Sequence, residues 1–212
     1  MRRRSVTLEN ERTLRHMTDL SRSHARRLTA EGVGTALLLA AVVGSGIMGD
    51  RLSGGNIAIA LLANTVATGA ALVALILTFG PISGAHFNPA VSFADASQGG
   101  LSWRDASTHA IAQIVGALLG VALADAMFAE PIYAWSRHVR AGFPQVLSEG
   151  VATFGLMSVI WGCARRRPEA VRFAVGTYIT AALLVYCVDI VCESRGDDRS
   201  RRDCHVRRDS TV

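Results

Sequence analysis

Apolar residues in this chain collect in five long runs with short polar breaks between them. The runs cover about residues 28–48, 56–79, 106–128, 146–163 and 171–191. Each is on the order of the ~20 residues that a helix needs to cross a bilayer. Glu31 stands at the head of the first run and Glu149 at the head of the fourth. The second holds Asn64, Thr65, Thr68 and Thr78 but no charge, and the third carries His109, Gln113 and Asp125. Gly32, Gly34, Gly44 and Gly46 in the first run, with Gly116 and Gly120 in the third, are the small residues that let membrane helices approach closely. Asp125 falls near the outer end of its run, where it is expected to meet water. The pattern predicts an all-α membrane protein of five spans.

The break between the second and third runs, Ser83-Gly-Ala-His-Phe-Asn-Pro-Ala-Val-Ser92, has a different grammar. Asn88 followed by Pro89 reads as an N-cap and a proline in the first helical position. The residues available before the next run allow a short helix over about 83–98 but no separate domain. A short helix that starts among membrane spans presents free backbone N–H groups to a passing solute. The expected element is therefore re-entrant.

Charge adds a topology. Half of the 212 residues are hydrophobic, 18% are charged, and the net charge of +5 is due to arginine, since lysine is absent. Eight arginines (Arg2, Arg3, Arg4, Arg12, Arg15, Arg22, Arg26 and Arg27) lie in residues 1–27, read as a flexible basic leader. With Arg165–Arg167 they place the N-terminus in the cytoplasm, against the smaller weight of Arg137 and Arg140 in the loop that also holds Trp135 and His138. The leader lacks the aromatic residues that stack on bases, so no nucleic acid is expected. Cys163, Cys187, Cys192 and Cys204 have no metal-site spacing. No nucleotide loop, ionisable midplane pair or ligand motif is visible, so an enzyme, a cofactor and a metal are not expected. The arginine-rich, lysine-free composition points to a GC-rich bacterial genome, hence an inner membrane.

One repeat is present. Ala30-Glu-Gly-Val-Gly-Thr35 opens the first span and Ser148-Glu-Gly-Val-Ala-Thr153 the fourth. An odd number of spans between them makes the second copy run the opposite way, the inverted repeat that puts a binding or conduction site at the midplane.

With the Ser83–Ser92 decapeptide, the Glu-Gly span heads at Glu31 and Glu149, and Gln113, the chain resembles the aquaporin or major intrinsic protein family over about residues 28–183. The resemblance implies an inverted-repeat helical bundle with a re-entrant half-helix, conducting water and, in some members, glycerol, other small uncharged solutes or neutral arsenic acids. It implies that Asn88 donates to solute and that Pro89 and Ala90 fix the half-helix tip. Backbone carbonyls of Ser83, Gly84, Ala85 and His86 would line the entry. Glu31, Glu149 and Gln113 would support the loops, and Thr68 would fall near the narrow selectivity position, favouring a solute larger than water. The partners implied are membrane lipid and a homotetramer. Other readings stay open: Glu31 and Glu149 as helix-cap carboxylates, His86 as a brace of its own loop, and Thr68 bonded within its own helix.

The resemblance stops at about Ala182. The family pattern requires a second Asn-Pro-Ala, a pore arginine and a sixth span, whereas residues 184–212 read as an Arg- and Asp-rich tail. Permitted codons for that stretch, read off-frame, can spell Tyr-Trp-Phe-Thr-Ala-Ser-Thr-Ser-Phe-Ala-Asn-Pro-Ala-Val-Thr-Ile-Ala-Arg, with the Asn-Pro-Ala inside codons 192–196. The second half is thus expected to be incomplete, through a frameshift near codon 182 or 183, and the alternative to a channel is a non-conducting truncated remnant of one.

Overall fold

The computed structural model describes residues 2–132 and 143–186. Six helices follow the sequence pattern: α1 Arg2–Leu52, α2 Ile57–Ser83, α3 Pro89–Ser97, α4 Trp103–Met127, α5 Phe143–Arg166 and α6 Val171–Tyr186, with one 3-10 turn at Pro168–Ala170. Among the described residues, five stretches are long and apolar enough to cross a membrane: Ser23–Leu52, Ile57–Ser83, Trp103–Met127, Val146–Arg166 and Pro168–Val185. The nine residues of α3 reach only about 14 Å, less than half of a ~30 Å hydrocarbon core. The protein is an all-α, multi-pass membrane protein, and α3 is a short re-entrant helix within it.

Side-chain placement in α4 is that of a helix solvated by lipid. Ile111 and Leu119 are 63% and 61% exposed, while His109 and Gln113 are 0% and 1% exposed. Large apolar groups face out and polar groups face in, the distribution that a hydrocarbon solvent selects.

Three boundaries differ from the sequence reading. The leader is helical, because α1 begins at Arg2 rather than near residue 28. No proline or glycine occurs between Arg2 and Glu31 to interrupt it. Helix α2 runs through Pro81 to Ser83, since a proline near a C-terminus breaks little of the remaining ladder. Asp125 is buried rather than facing water. The loop around Trp135, Arg137, His138 and Arg140, the end of the fifth apolar run and residues 187–212 lie outside the described residues.

The chain forms two compact units, one of Met1–Ala40 with Ala74–Leu123 and the other of Ala41–Val73 with Ala124–Val212. In the first, α1 and α4 cross at backbone contact. A Cβ on Gly116 would strike the Gly32 carbonyl, and one on Gly120 the Ala36 carbonyl. Glycines four apart form a groove in one helix for the other. Gly34 makes room for the Phe87 ring, which meets Phe79 edge-on with centroids 6.1 Å apart. Replacing Gly116 with leucine is expected to force these helices apart and to destabilise the protein by about 1–3 kcal/mol, the usual cost of overpacking. A thermal unfolding series in detergent measures it, and an unchanged midpoint would mean that the crossing does not depend on this groove.

The second unit repeats the device with other residues. Gly69 and Gly176 place α2 against α6, where a Cβ on Gly69 would overlap Thr180. Gly49 lies on the Ala60 carbonyl, and Tyr178 Oη donates to the Ala152 carbonyl at 3.1 Å between α5 and α6. Arg51 closes one end by donating to the Phe128 carbonyl and to Glu130 Oε1, both at 2.7 Å.

Candidate functional site

The re-entrant loop is built around one buried carboxylate. Glu31 of α1 has no exposed surface. Its Oε1 accepts from the Ser83 hydroxyl at 2.6 Å and the His86 N–H at 3.1 Å. Its Oε2 accepts from the Phe87 N–H at 2.9 Å and from Gln113 Nε2 at 2.8 Å. Four donors match the roughly four lone-pair sites of a carboxylate. A buried charge is tolerable when it is hydrogen-bonded on every side.

The loop reaches this arrangement by bending through left-handed backbone. Gly84, Ala85 and Phe87 have φ of 93°, 52° and 50°. Only glycine enters that region at no steric cost, so Ala85 and Phe87 hold strain of about 1–2 kcal/mol each. What they gain is direction: successive N–H groups at His86 and Phe87 turn onto one carboxylate. Because a trans peptide sets its C=O opposite its N–H, the carbonyls of Ala85 and His86 point away from Glu31. That is the polarity expected of a row of acceptors along the loop.

Helix α3 starts where the loop ends. Asn88 is its N-cap, with extended φ and ψ, and its Oδ1 accepts from the Ala90 N–H at 2.8 Å. Pro89 occupies the first turn, and Asn88 itself is exposed. Capping fixes the amide, so Nδ2 is the end of Asn88 available to an outside acceptor. Two further contacts hold α3. Gln113 Nε2 also donates to Ser92 Oγ at 3.0 Å, so one amide joins α1, α3 and α4. His86 Nε2 lies 3.3 Å from Asp95 Oδ2, tying the loop to the helix it precedes.

The structure therefore brings together Glu31, Ser83, Gly84, Ala85, His86, Asn88, Pro89, Ala90 and Gln113 in the first unit. It does not gather every candidate there. Thr68 belongs to the second unit, is buried, and donates through Oγ1 to Asn64 Oδ1 at 3.1 Å. The bond is within its own helix, but to a side chain rather than the backbone. Glu149 also belongs to the second unit and is exposed near the start of α5. The segment that the repeat expects it to brace falls in residues 187–212, outside the described residues. Ser92 and Asp95 were not foreseen. Their only sequence signal is position, four and seven residues after the Asn88 cap.

The Major intrinsic protein family model matches residues 19–193. The chain belongs to that family. It is 55% identical over 157 residues to the aquaglyceroporin AqpS of Rhizobium meliloti strain 1021, covering 74% of this chain and 67% of that one. It is 31% identical over 175 residues to the probable aquaporin NIP7-1 of Arabidopsis thaliana, covering 79% of this chain and 62% of the relative. The chain thus spans about two thirds or less of the length of these curated relatives. The crystallographic aquaglyceroporin of Plasmodium falciparum shares the fold at a TM-score of 0.60 and 22% identity, over 79% of this chain and 72% of that one. Within the major intrinsic protein frame, the Glu31-anchored loop and α3 are the re-entrant half-helix that the decapeptide foretold.

Proposed function

We propose that this protein is a passive channel for water and small uncharged solutes such as glycerol. The observation that carries the reading is the Asn88-capped start of α3, held by a loop whose His86 and Phe87 N–H groups are bound to Glu31 while the carbonyls of the same peptides face away from it. A helix N-terminus carries about half a positive charge, so it repels cations and orients water dipoles without binding them tightly. The Rhizobium relative is an aquaglyceroporin by name, and its 55% identity favours a solute range beyond water. By the family resemblance alone, Thr68 at the narrow position would leave a wider opening. The cytoplasmic N-terminus, the bacterial inner membrane and assembly as a homotetramer are parts of this proposal, the first resting on the arginine-rich leader.

A second reading is favoured by one specific observation. Asn-Pro-Ala occurs once in the sequence, and residues 184–212 read as an Arg- and Asp-rich tail. A chain with a single half-helix would be a non-conducting remnant. Stopped-flow light scattering of vesicles carrying the full chain separates the two. Faster shrinkage and re-swelling than protein-free vesicles under a glycerol gradient supports the channel. Rates equal to those of empty vesicles support the remnant, and restoring the off-frame text from codon 183 is then expected to restore flux.

A further inference from the structure

Beside the carboxylate network, α4 contributes a side chain that no hydrogen bond explains. His109 has no exposed surface, and neither its Nδ1 nor its Nε2 has a hydrogen-bond partner. A neutral imidazole carries one N–H and one lone pair, and leaving both buried and unmatched is costly. Such a group calls for an occupant that the side chains themselves do not provide.

The neighbouring ring has the complementary problem. His86 Nε2 sits against Asp95 Oδ2, and a carboxylate only accepts, so that nitrogen carries the proton. In the neutral ring this makes Nδ1 a bare lone pair. Nδ1 is buried, has no hydrogen-bond partner, and stands 3.8 Å from Glu31 Oε1. Two acceptors facing each other at that distance repel unless a positive centre lies between them. The His109 ring is 5.9 Å away, centroid to centroid. One ligand atom each from Glu31, His86 and His109 all lie within 4.8 Å of one another.

We propose that Glu31, His86 and His109 form a binding site for one divalent transition-metal ion of the zinc class. Imidazole nitrogens and a carboxylate oxygen bind zinc at about 2.0–2.2 Å, which puts tetrahedral ligand atoms roughly 3.4 Å apart. The Glu31–His86 separation is already close to that, and rotation of the His109 ring supplies most of the remainder. Among the four donors on Glu31, the Ser83 hydroxyl is the one that can turn its O–H away, freeing a lone pair on Oε1 while its oxygen still accepts from the Ala85 N–H. Asp95 and Gln113 are in the positions of the outer partners that orient metal ligands, one behind an imidazole and one behind the carboxylate. Three protein ligands leave a fourth position for water. His86, with 12% of its side chain exposed, is the open edge by which an ion can enter. A second proton on His86 would satisfy its pairing with Glu31 but leave the buried lone pair of His109 unmatched, whereas a metal draws on both rings. The site clips the re-entrant loop to α1 and α4, and it stands whether or not the chain conducts. No spacing motif announced it, because the ligands come from a span, a loop and another span.

The test uses the full chain without a histidine tag, in lipid nanodiscs, equilibrated with zinc against a chromophoric chelator. About one zinc per chain is expected, with X-ray absorption showing nitrogen and oxygen ligands at about 2.0–2.1 Å. His109→Leu, which removes the unmatched polar atoms and so keeps the fold, is expected to weaken binding at least about 100-fold, more than the loss of an outer partner does. The proposal is overturned if the wild-type chain holds no more zinc than His109→Leu does, which would leave ordered water as the occupant.

Discussion

Glu31→Ala is expected to release the re-entrant loop and cost the protein a large share of its resistance to unfolding. The substitution strips the acceptor from two backbone N–H groups, a hydroxyl and an amide at once. Each buried donor left unmatched costs about 1–3 kcal/mol. The hydroxyl and the amide can turn to other partners, since Gln113 keeps Ser92. The N–H groups of His86 and Phe87 cannot, because left-handed residues fix their direction. Two such losses alone amount to about 2–6 kcal/mol, against total stabilities of about 5–15 kcal/mol in soluble domains. Glu31→Gln keeps one acceptor oxygen and replaces the other with a donor facing donors, so it is expected to fall between wild type and alanine. Recovery of monodisperse protein after a heating series, with limited proteolysis across residues 83–88, reports both. A Glu31→Ala chain that melts within about 1 kcal/mol of wild type would sink the view that this carboxylate organises the loop.

The second large effect separates holding from conducting. Asn88 has two ends: Oδ1 caps α3, and Nδ2 is the end that meets the solute in the proposed channel. Asp is as good an N-cap as Asn, so Asn88→Asp preserves the cap. It deletes the amide donor and adds a negative charge at the site. Stability is therefore expected to stay within about 1 kcal/mol of wild type. Glycerol and water permeability in vesicles is expected to fall at least about tenfold, the effect of losing roughly 1.4 kcal/mol at the narrowest step. Asn88→Ala reverses the bias, losing cap and donor together, and is expected to lose about 1 kcal/mol of stability as well. Unchanged flux in Asn88→Asp would show that this amide does not touch the permeating molecule.

Much of this was readable before any coordinates. The spans follow from run length, because lipid requires every backbone group to be paired within its own helix. Asn88-Pro89 marked the start of α3 because capping is a local matter of one side chain and one missing N–H. Gly116 and Gly120 were found by their spacing, and their partners Gly32 and Ala36 emerged at the crossing. Long-range pairing was less legible. In the sequence His109 is only a polar residue within a span, since its neighbours His86 and Glu31 are distant in the chain. Glu149 repeats the motif of Glu31, but the segment expected to converge on it lies outside the described residues. The leader was read as flexible from its charge, while helix α1 extends to Arg2 because nothing in the backbone chemistry stops it.

The reach of the Glu31 hydrogen bonds has a consequence for biogenesis. Ser83 lies 52 residues after Glu31, and Gln113 lies 82 after it. When the ribosome has delivered α1, none of the groups that neutralise its carboxylate has yet been made. A charged side chain at the centre of a lone helix costs about 3 kcal/mol on insertion scales, and Glu31, near the head of its span, is spared part of that by reaching toward the interface. The first span is therefore expected to hold this carboxylate close to the interface until the third span arrives. The helix that enters first is completed only when α4 joins it.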